Sequence, residues 1–430
     1  MRKTTRRALV ATAVVAATAT LALTGCATGG AGAGTSGGQI VMWTHNAGNK
    51  AELGAIQSIV TDFNKSQSKY TVKVQAFPQD SYNQSVTAAA ASKKLPCIMD
   101  IDGPNVPNWA WAGYLAPLTG MDSTLSKFLP STVGKYNGAT YSYGFYDVAL
   151  AMISRKSTLD AAGIRIPTVD KPWTQTEFQD ALDKLKASGK FQYPADFSTG
   201  STGEWWPYAY SPFLQSFGGD LINRDGYKTA DGVLNGAKAV DWAKWFRGLV
   251  TSNDISAKSG ADPVADFLNG KTGILYDGGW AADQVRTALK DDAVFLPSVD
   301  LGKGPKIGGA SWQWGVSKTC GNTAGALAYM KFAAADRYVA QVAKATGTIP
   351  ATDGAAAQVP GYQPGGENAI FRDFSKKFAE VRPVTPGYPF IATTFTKAAQ
   401  DILNGADPKS TLDQAVKDID ANQKSNNYFK

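Results

Sequence analysis

The chain contains eleven tryptophans, and several stand where elements begin or end: Trp43, Trp205, Trp206, Trp280, Trp312 and Trp314. GEWWPYAY sets Tyr208 and Tyr210 beside Trp205 and Trp206. Acidic and polar side chains stand at similar places. Asp102 closes the apolar run in IDGPN, Asp147 lies between Tyr146 and Val148, and His45 and Asn46 follow IVMWT. Ring faces cover apolar C–H surface. A carboxylate offers about four acceptor positions, and hydrogen bonds to charged groups contribute roughly 1.5–3 kcal/mol each. Together they suit a molecule with apolar faces and a hydroxyl rim, as a saccharide has, held in a concave site. Bond-breaking machinery is not legible. The single histidine, His45, has no Gly-x-Ser-x-Gly elbow, no metal-ligand cluster is seen, and no Walker motif occurs. No catalytic residue, metal or cofactor is expected. A glycoside hydrolase using Asp102 and Asp147 as paired carboxylates is the competing enzymatic reading.

Each ring must be weighed against ordinary core packing, which buries aromatics readily. Trp242 and Trp245 lie on an amphipathic helix pattern and read as core; Trp109 and Trp111 are balanced. Trp280 follows Gly278-Gly279, which permit close approach to a ligand. At least one of Trp205 and Trp206 is expected at the site. Asp102 ends a strand, where open α/β sheets bind ligands; its alternative role is capping the next helix.

The elements that must position these residues alternate. Ile40–Trp43 reads as a strand, Ala51–Lys65 as a helix with Leu53, Ile56, Ile59, Val60 and Phe63 at helical spacing, and Tyr70–Phe77 as a strand. Ser81–Lys93 reads as a helix capped by Ser81, and Cys97–Ile101 as a strand. This is the pattern of a parallel sheet with covering helices. Tyr141–Ser154 is a long β-like stretch, and Lys156–Ala162 a helix. Thr174 with Glu177 forms a capping-box signature, and Trp173–Leu268 is mostly helical. Strands are expected at Lys271–Tyr276, Ala293–Leu296 and Ser311–Ser317, and a helix at Asn322–Ala335. Two terminal helices are parted by Asn404-Gly405.

Arg2, Lys3, Arg6 and Arg7 precede an uncharged run to Gly25, the layout of an export signal. Residues 1–25 are expected to be the signal peptide and 26–38 a small-residue tether. Leu23-Thr24-Gly25-Cys26 resembles the bacterial lipobox, which implies lipidation of Cys26; the two acyl chains such lipoproteins carry meet the need for stable anchoring. The net charge of +7 falls to +3 without the four leader cations, and no basic stripe with interleaved aromatics argues for nucleic acid. Cys97 and Cys320 are an even pair outside the cytoplasm, open to a disulfide or to two separate buried thiols.

In chain order, IVMWTHN, LPCIMDIDGPNVPNWAWAGYLAPL, YGFYDVALAMISRKSTLDAAGI, WTQTEF, GILYDGGWAADQ, GGASWQWGVSK, RPVTPGYPFI and ILNGADPKSTLDQAVKDI resemble the extracellular solute-binding proteins of bacterial ABC sugar importers, the group that includes maltose-binding protein. The resemblance covers nearly the whole mature chain. It implies an α/β, two-lobed periplasmic-binding-protein-like fold of type II, each lobe a mainly parallel sheet flanked by helices, with the ligand cleft between. Lobe 1 would take 39–147 plus 317–365, and lobe 2 148–316 plus 366–430. It implies a non-catalytic monomer on the outer face of the cell membrane that closes on a carbohydrate, an oligosaccharide in particular, and delivers it to permease subunits served by a separate ATPase. It places Asp147 at the interlobe crossover, Trp280 as a stacking ring, and Arg382 and Tyr388 in the segment closing the pocket. By strand alternation only one of Trp312 and Trp314 should face that cleft, and Trp312 is the preferred one. Cys97 stands where the family usually has aspartate, which strengthens the pairing with Cys320. Non-sugar solutes compete: a polyamine, a peptide or a polyol phosphate, although a phosphate would want more than Arg382.

Overall fold

The computed structural model describes residues 38–430; the leader, Cys26 and the tether up to residue 37 lie outside them. Two central sheets organise the chain. The first runs in the order Thr71–Ala76, Gln39–Thr44, Ile98–Asp102, Trp312–Ser317, Ala139–Tyr143, Val133–Tyr136, with Leu115–Ala116 also paired to Trp312–Ser317. Its first three strands are mutually parallel, and Trp312–Ser317 enters antiparallel. The second runs Ala293–Leu296, Leu150–Arg155, Thr272–Gly278, Tyr193–Asp196, and only its last pair is parallel. Both sheets are therefore mixed rather than mainly parallel. Strands that arrive from the other half of the molecule need no covering helix between them, so nothing obliges them to run parallel.

Local sequence explains the elements. Helix Lys50–Ser66 buries Ile56, Ile59, Val60 and Phe63 and starts at Asn49, whose side chain accepts from Glu52 N. Helix Gln79–Ala91 begins two residues earlier than expected, after Pro78, so Ser81 lies inside it and does not cap. Proline favours a helix entrance because its missing N–H is unpaired there anyway. The long β-like stretch is three strands, Ala139–Tyr143, Tyr146–Asp147 and Leu150–Arg155. Tyr146–Asp147 pairs antiparallel with Ile349–Pro350, and these paired segments carry the chain between the halves. A further passage joins Ile307–Gly309 to Trp312–Ser317 through Ala310, at φ 68°. Because Trp312–Ser317 is hydrogen-bonded within the first sheet, the return to that half precedes Trp312, earlier than a boundary at 317.

Cys97 and Cys320 form a disulfide with Cα atoms 4.4 Å apart. It joins the start of Ile98–Asp102 to the loop after Trp312–Ser317, at the end of the sheet remote from Asp102. Among the described residues no helix is long and apolar enough to cross a membrane.

Candidate functional site

Asp102 is the last residue of its strand, and its side chain makes no capping bond to the short turn Gly103–Asn105 that follows. It turns instead to the opposite half. Arg382 donates from Nη1 to Asp102 Oδ2 and from Nη2 to Asp102 Oδ1, each at 3.2 Å. Nη1 also donates to Glu204 Oε2 at 2.7 Å, and the Tyr388 hydroxyl donates to the same oxygen at 2.6 Å. Arg382 is 4% exposed, and its guanidinium lies 5.1 Å from the centre of the Tyr208 ring. Burial alone would lower its pKa; Asp102, Tyr388 and Glu204 more than offset this and hold it well above the ordinary arginine value.

Three polar atoms tied to this bridge lack partners: Arg382 Nε itself, the hydroxyl of Tyr208, whose ring Arg382 covers, and Nδ2 of Asn105, in the turn that follows Asp102. Both amide atoms of Asn46 are also buried and unpaired, but beside Glu52. Asn46 is close enough to Glu52 to favour its ionised form, yet does not reach bonding geometry. A buried unpaired polar group costs roughly 1–3 kcal/mol, so several at one locus mark a place prepared for other partners.

The aromatic wall divides by half. In the second, Trp205 is half-buried at the start of helix Trp205–Phe217 and meets Trp280 edge-on at 6.4 Å. Its Nε1 donates to the Tyr210 hydroxyl. Trp280 is 39% exposed, and its indole folds back over Gly278, where any Cβ would collide with the ring. Asp277, just before it, is buried and accepts from Gly278 N at 2.7 Å. Burial pushes its carboxyl up to about 7 against the opposing help of Gly278 and Trp280. In the first half, Trp312 is half-buried, stacks on His45 at 3.7 Å and 8°, and meets the edge of Tyr82. Trp43 is half-buried beside Phe77, and Trp314 is core beside Phe145.

Several expected site residues have other surroundings. Trp206 is 2% exposed and gives its N–H to the Ser201 carbonyl, because neighbours on a helix point about 100° apart and cannot both face one opening. His45 is not at a hydroxyl rim: it is buried behind Trp312 with Nδ1 2.5 Å from Asp100 Oδ2. Asp147 is a strut. It accepts from Ser131 Oγ at 3.0 Å and Ser375 Oγ at 2.7 Å, and burial raises its pKa. Tyr388 reaches the site only by its hydroxyl. Glu204, Asn105 and Asp277 escaped the sequence reading; the acid in GEWW and the acid before GGW were there to be noticed.

A sequence model of the bacterial extracellular solute-binding proteins matches residues 58–368. The chain is 23% identical over 333 residues to the diacetylchitobiose binding protein DasA of Streptomyces coelicolor, covering 74% of each. It is 25% identical over 177 residues to an uncharacterized lipoprotein of Streptomyces antibioticus, 40% of this chain and 38% of that one. The GacH receptor of Streptomyces glaucescens, solved unliganded and with acarbose, superimposes with TM-score 0.74 at 22% identity, over 90% of this chain and 97% of its own. Maltose-bound MalE3 of Thermotoga maritima gives 0.75 at 18% identity, over 89% and 98%. At these identities the structures establish the fold, that of the type II binding proteins.

Proposed function

The chain belongs to the bacterial extracellular solute-binding proteins, and on that premise we propose that it captures a carbohydrate, an oligosaccharide in particular, for an ABC importer. The observation that carries this is the set of unpartnered buried atoms on Asn105, Tyr208 and Arg382 around Asp102, with Trp312 paired across the sheet from Asp102 and Trp205 linking Tyr208 to the exposed Trp280. Ring faces take C–H surface and the polar atoms take hydroxyls. Asp102, Trp43, Tyr388 and Asp277 complete the walls, with Asp147 and Trp206 supporting from behind. The named ligands of its relatives, diacetylchitobiose, acarbose and maltose, have this chemistry. Two lobes hinged at Tyr146–Asp147 and Ile349–Pro350 close on the ligand, and the closed form delivers it to permease subunits with a separate ATPase. The lobes divide near residue 147, before residue 312 and near residue 365. Attachment through a diacylated Cys26 would keep a monomeric domain at the extracellular face of the cell membrane. The site binds and does not turn over.

A thermal-shift screen tests this. Maltotriose or diacetylchitobiose at 100 times its dissociation constant should add about 2.7 kcal/mol of stability, with the saccharide recovered intact. A response to polyamines or peptides, with none across a carbohydrate panel, would refute the saccharide reading.

A further inference from the structure

His45 has no rim to bind from, yet its surroundings are built around a positive charge. From the strand Ile98–Asp102, Asp100 meets Nδ1 at 2.5 Å. From the helix Lys50–Ser66, Glu52 Oε2 lies 3.9 Å from Nε2. Asp102 adds a more distant negative charge. Tyr82, from the helix Gln79–Ala91, stands edge-on at 6.5 Å and accepts from Asp100 N. Tyr146, on the interlobe segment, donates to Glu52 Oε1 at 2.8 Å. Thr44 Oγ1 donates to Asp100 Oδ2 at 3.3 Å. These tyrosines are neutral, because burial raises each well above the ordinary phenol value. No cation among the described ion pairs competes for Asp100 or Glu52. The face of the imidazole lies flat on Trp312, ring centres 3.7 Å apart, well inside the range of cation–π attraction.

We propose that His45 is a positioning residue: as an imidazolium clamped by Asp100 and Glu52 it backs the indole of Trp312 and fixes that ring as a platform at the cleft. Loss of the proton removes the cation–π attraction, and it leaves two buried carboxylates facing each other without a charge between them. The indole is then held less firmly, so ligand affinity depends on pH although His45 does not touch the ligand. Raising pH weakens the platform. Burial opposes the imidazolium, but Asp100 and Glu52 outweigh it and lift the group above its usual value. The platform role rests on the proposed saccharide reading; the clamp itself does not.

The clamp is read without ligand, by tryptophan emission of the whole protein from pH 5 to pH 10, with Asp277→Asn in every protein compared, because the carboxyl beside Trp280 would itself titrate near 7. A stacked imidazolium quenches an indole more than a neutral imidazole does. The otherwise wild-type protein should brighten in one step with a midpoint above about 6.5. Trp312→Phe and His45→Gln should each abolish the step, and Asp100→Asn should move it down by about one unit or more. A flat wild-type profile, or a step that survives in Trp312→Phe, overturns the clamp; Trp312→Phe keeps an aromatic ring there, so the test does not depend on His45→Gln folding. Maltotriose and diacetylchitobiose then test the platform. The affinity of whichever binds should fall by about threefold or more across the same step, as one cation–π contact implies. Unchanged affinity overturns the positioning role. Binding of neither sugar, with the step intact, counts against the saccharide reading alone.

Discussion

Asp277 carries the sharpest consequence of a single residue. It is buried at the end of Thr272–Gly278, and its carboxyl is pushed up to about 7, against about 3.9 in an unfolded chain. Folding therefore takes up a proton between those values. Stability associated with the protonated carboxyl is fully present below about pH 4 and is lost as pH rises through about 7. Asp277→Asn removes this dependence. Urea unfolding should find the variant similar to wild type at pH 4 and more stable at pH 8, by up to about 4 kcal/mol. Equal pH slopes in the two proteins would reject the assignment. Of the residues at the proposed site, the tryptophans and Asp102 stand out in the chain by their places at element ends, whereas Arg382 stands out only through the family resemblance. Their pairings were not. Arg382 and Glu204 are 178 residues apart, and nothing in GEWW or RPVTPGYPF names the other. Which of two adjacent rings is exposed was equally hidden, because helical phase at Trp205 and Trp206 depends on where the helix begins.

Elements respond to their ends. Helix Gln175–Ala187 begins with a complete capping box: Thr174 Oγ1 accepts from Glu177 N at 3.2 Å, and Glu177 accepts from Thr174 N at 3.0 Å. Thr174→Ala should cost about 1 kcal/mol in chemical denaturation, with ligand binding unchanged. The disulfide acts on two strands at once. Replacing Cys97 and Cys320 by serine should cost about 2–4 kcal/mol, also with binding retained, because Asp102 is at the other end of its strand. A binding defect in the double variant, at a temperature where it remains folded, would mean that this end of the sheet shapes the site. Elements with strong periodicity or a specific cap were read closely: the box at Thr174, the strand Ala293–Leu296, and the terminal helices Tyr388–Leu403 and Pro408–Ser425 parted at Asn404-Gly405. Tyr193–Asp196 was lost within a helical stretch, since four residues carry too little periodicity to stand out. The breaks near Gly144 and Val148 were invisible because β propensity stays high where the chain leaves one sheet and joins another.

At the scale of the molecule, the two halves are already held together by protein groups. Arg382 reaches Asp102 across the interface, Asn108 Nδ2 donates to the Pro386 carbonyl at 2.7 Å, and Trp111 meets Phe429 edge-on at 5.0 Å. The last two involve exposed or half-buried groups at the margin. The first is buried and charged, and it lies where the ligand is proposed to sit. A buried ion pair is strongly unfavourable to break by removing one partner, at about 3–5 kcal/mol, but opening the lobes returns both charges to water. Much of that penalty is thereby avoided, so the pair biases closure only modestly. Glu204 stays with Arg382 in the second half on opening, and Asp102 alone is released. Asp102→Asn keeps the shape and removes the charge, leaving Arg382 neutralised by Glu204 and free to part from the first half. The variant should therefore be more open without ligand, giving a larger radius of gyration by small-angle scattering than wild type. Arg382→Met should instead leave Asp102 and Glu204 facing each other uncompensated, and open at least as far. If either variant scatters like wild type, the marginal contacts and the paired segments at Tyr146–Asp147 and Ile349–Pro350 set the closed geometry, and the guanidinium bridge does not.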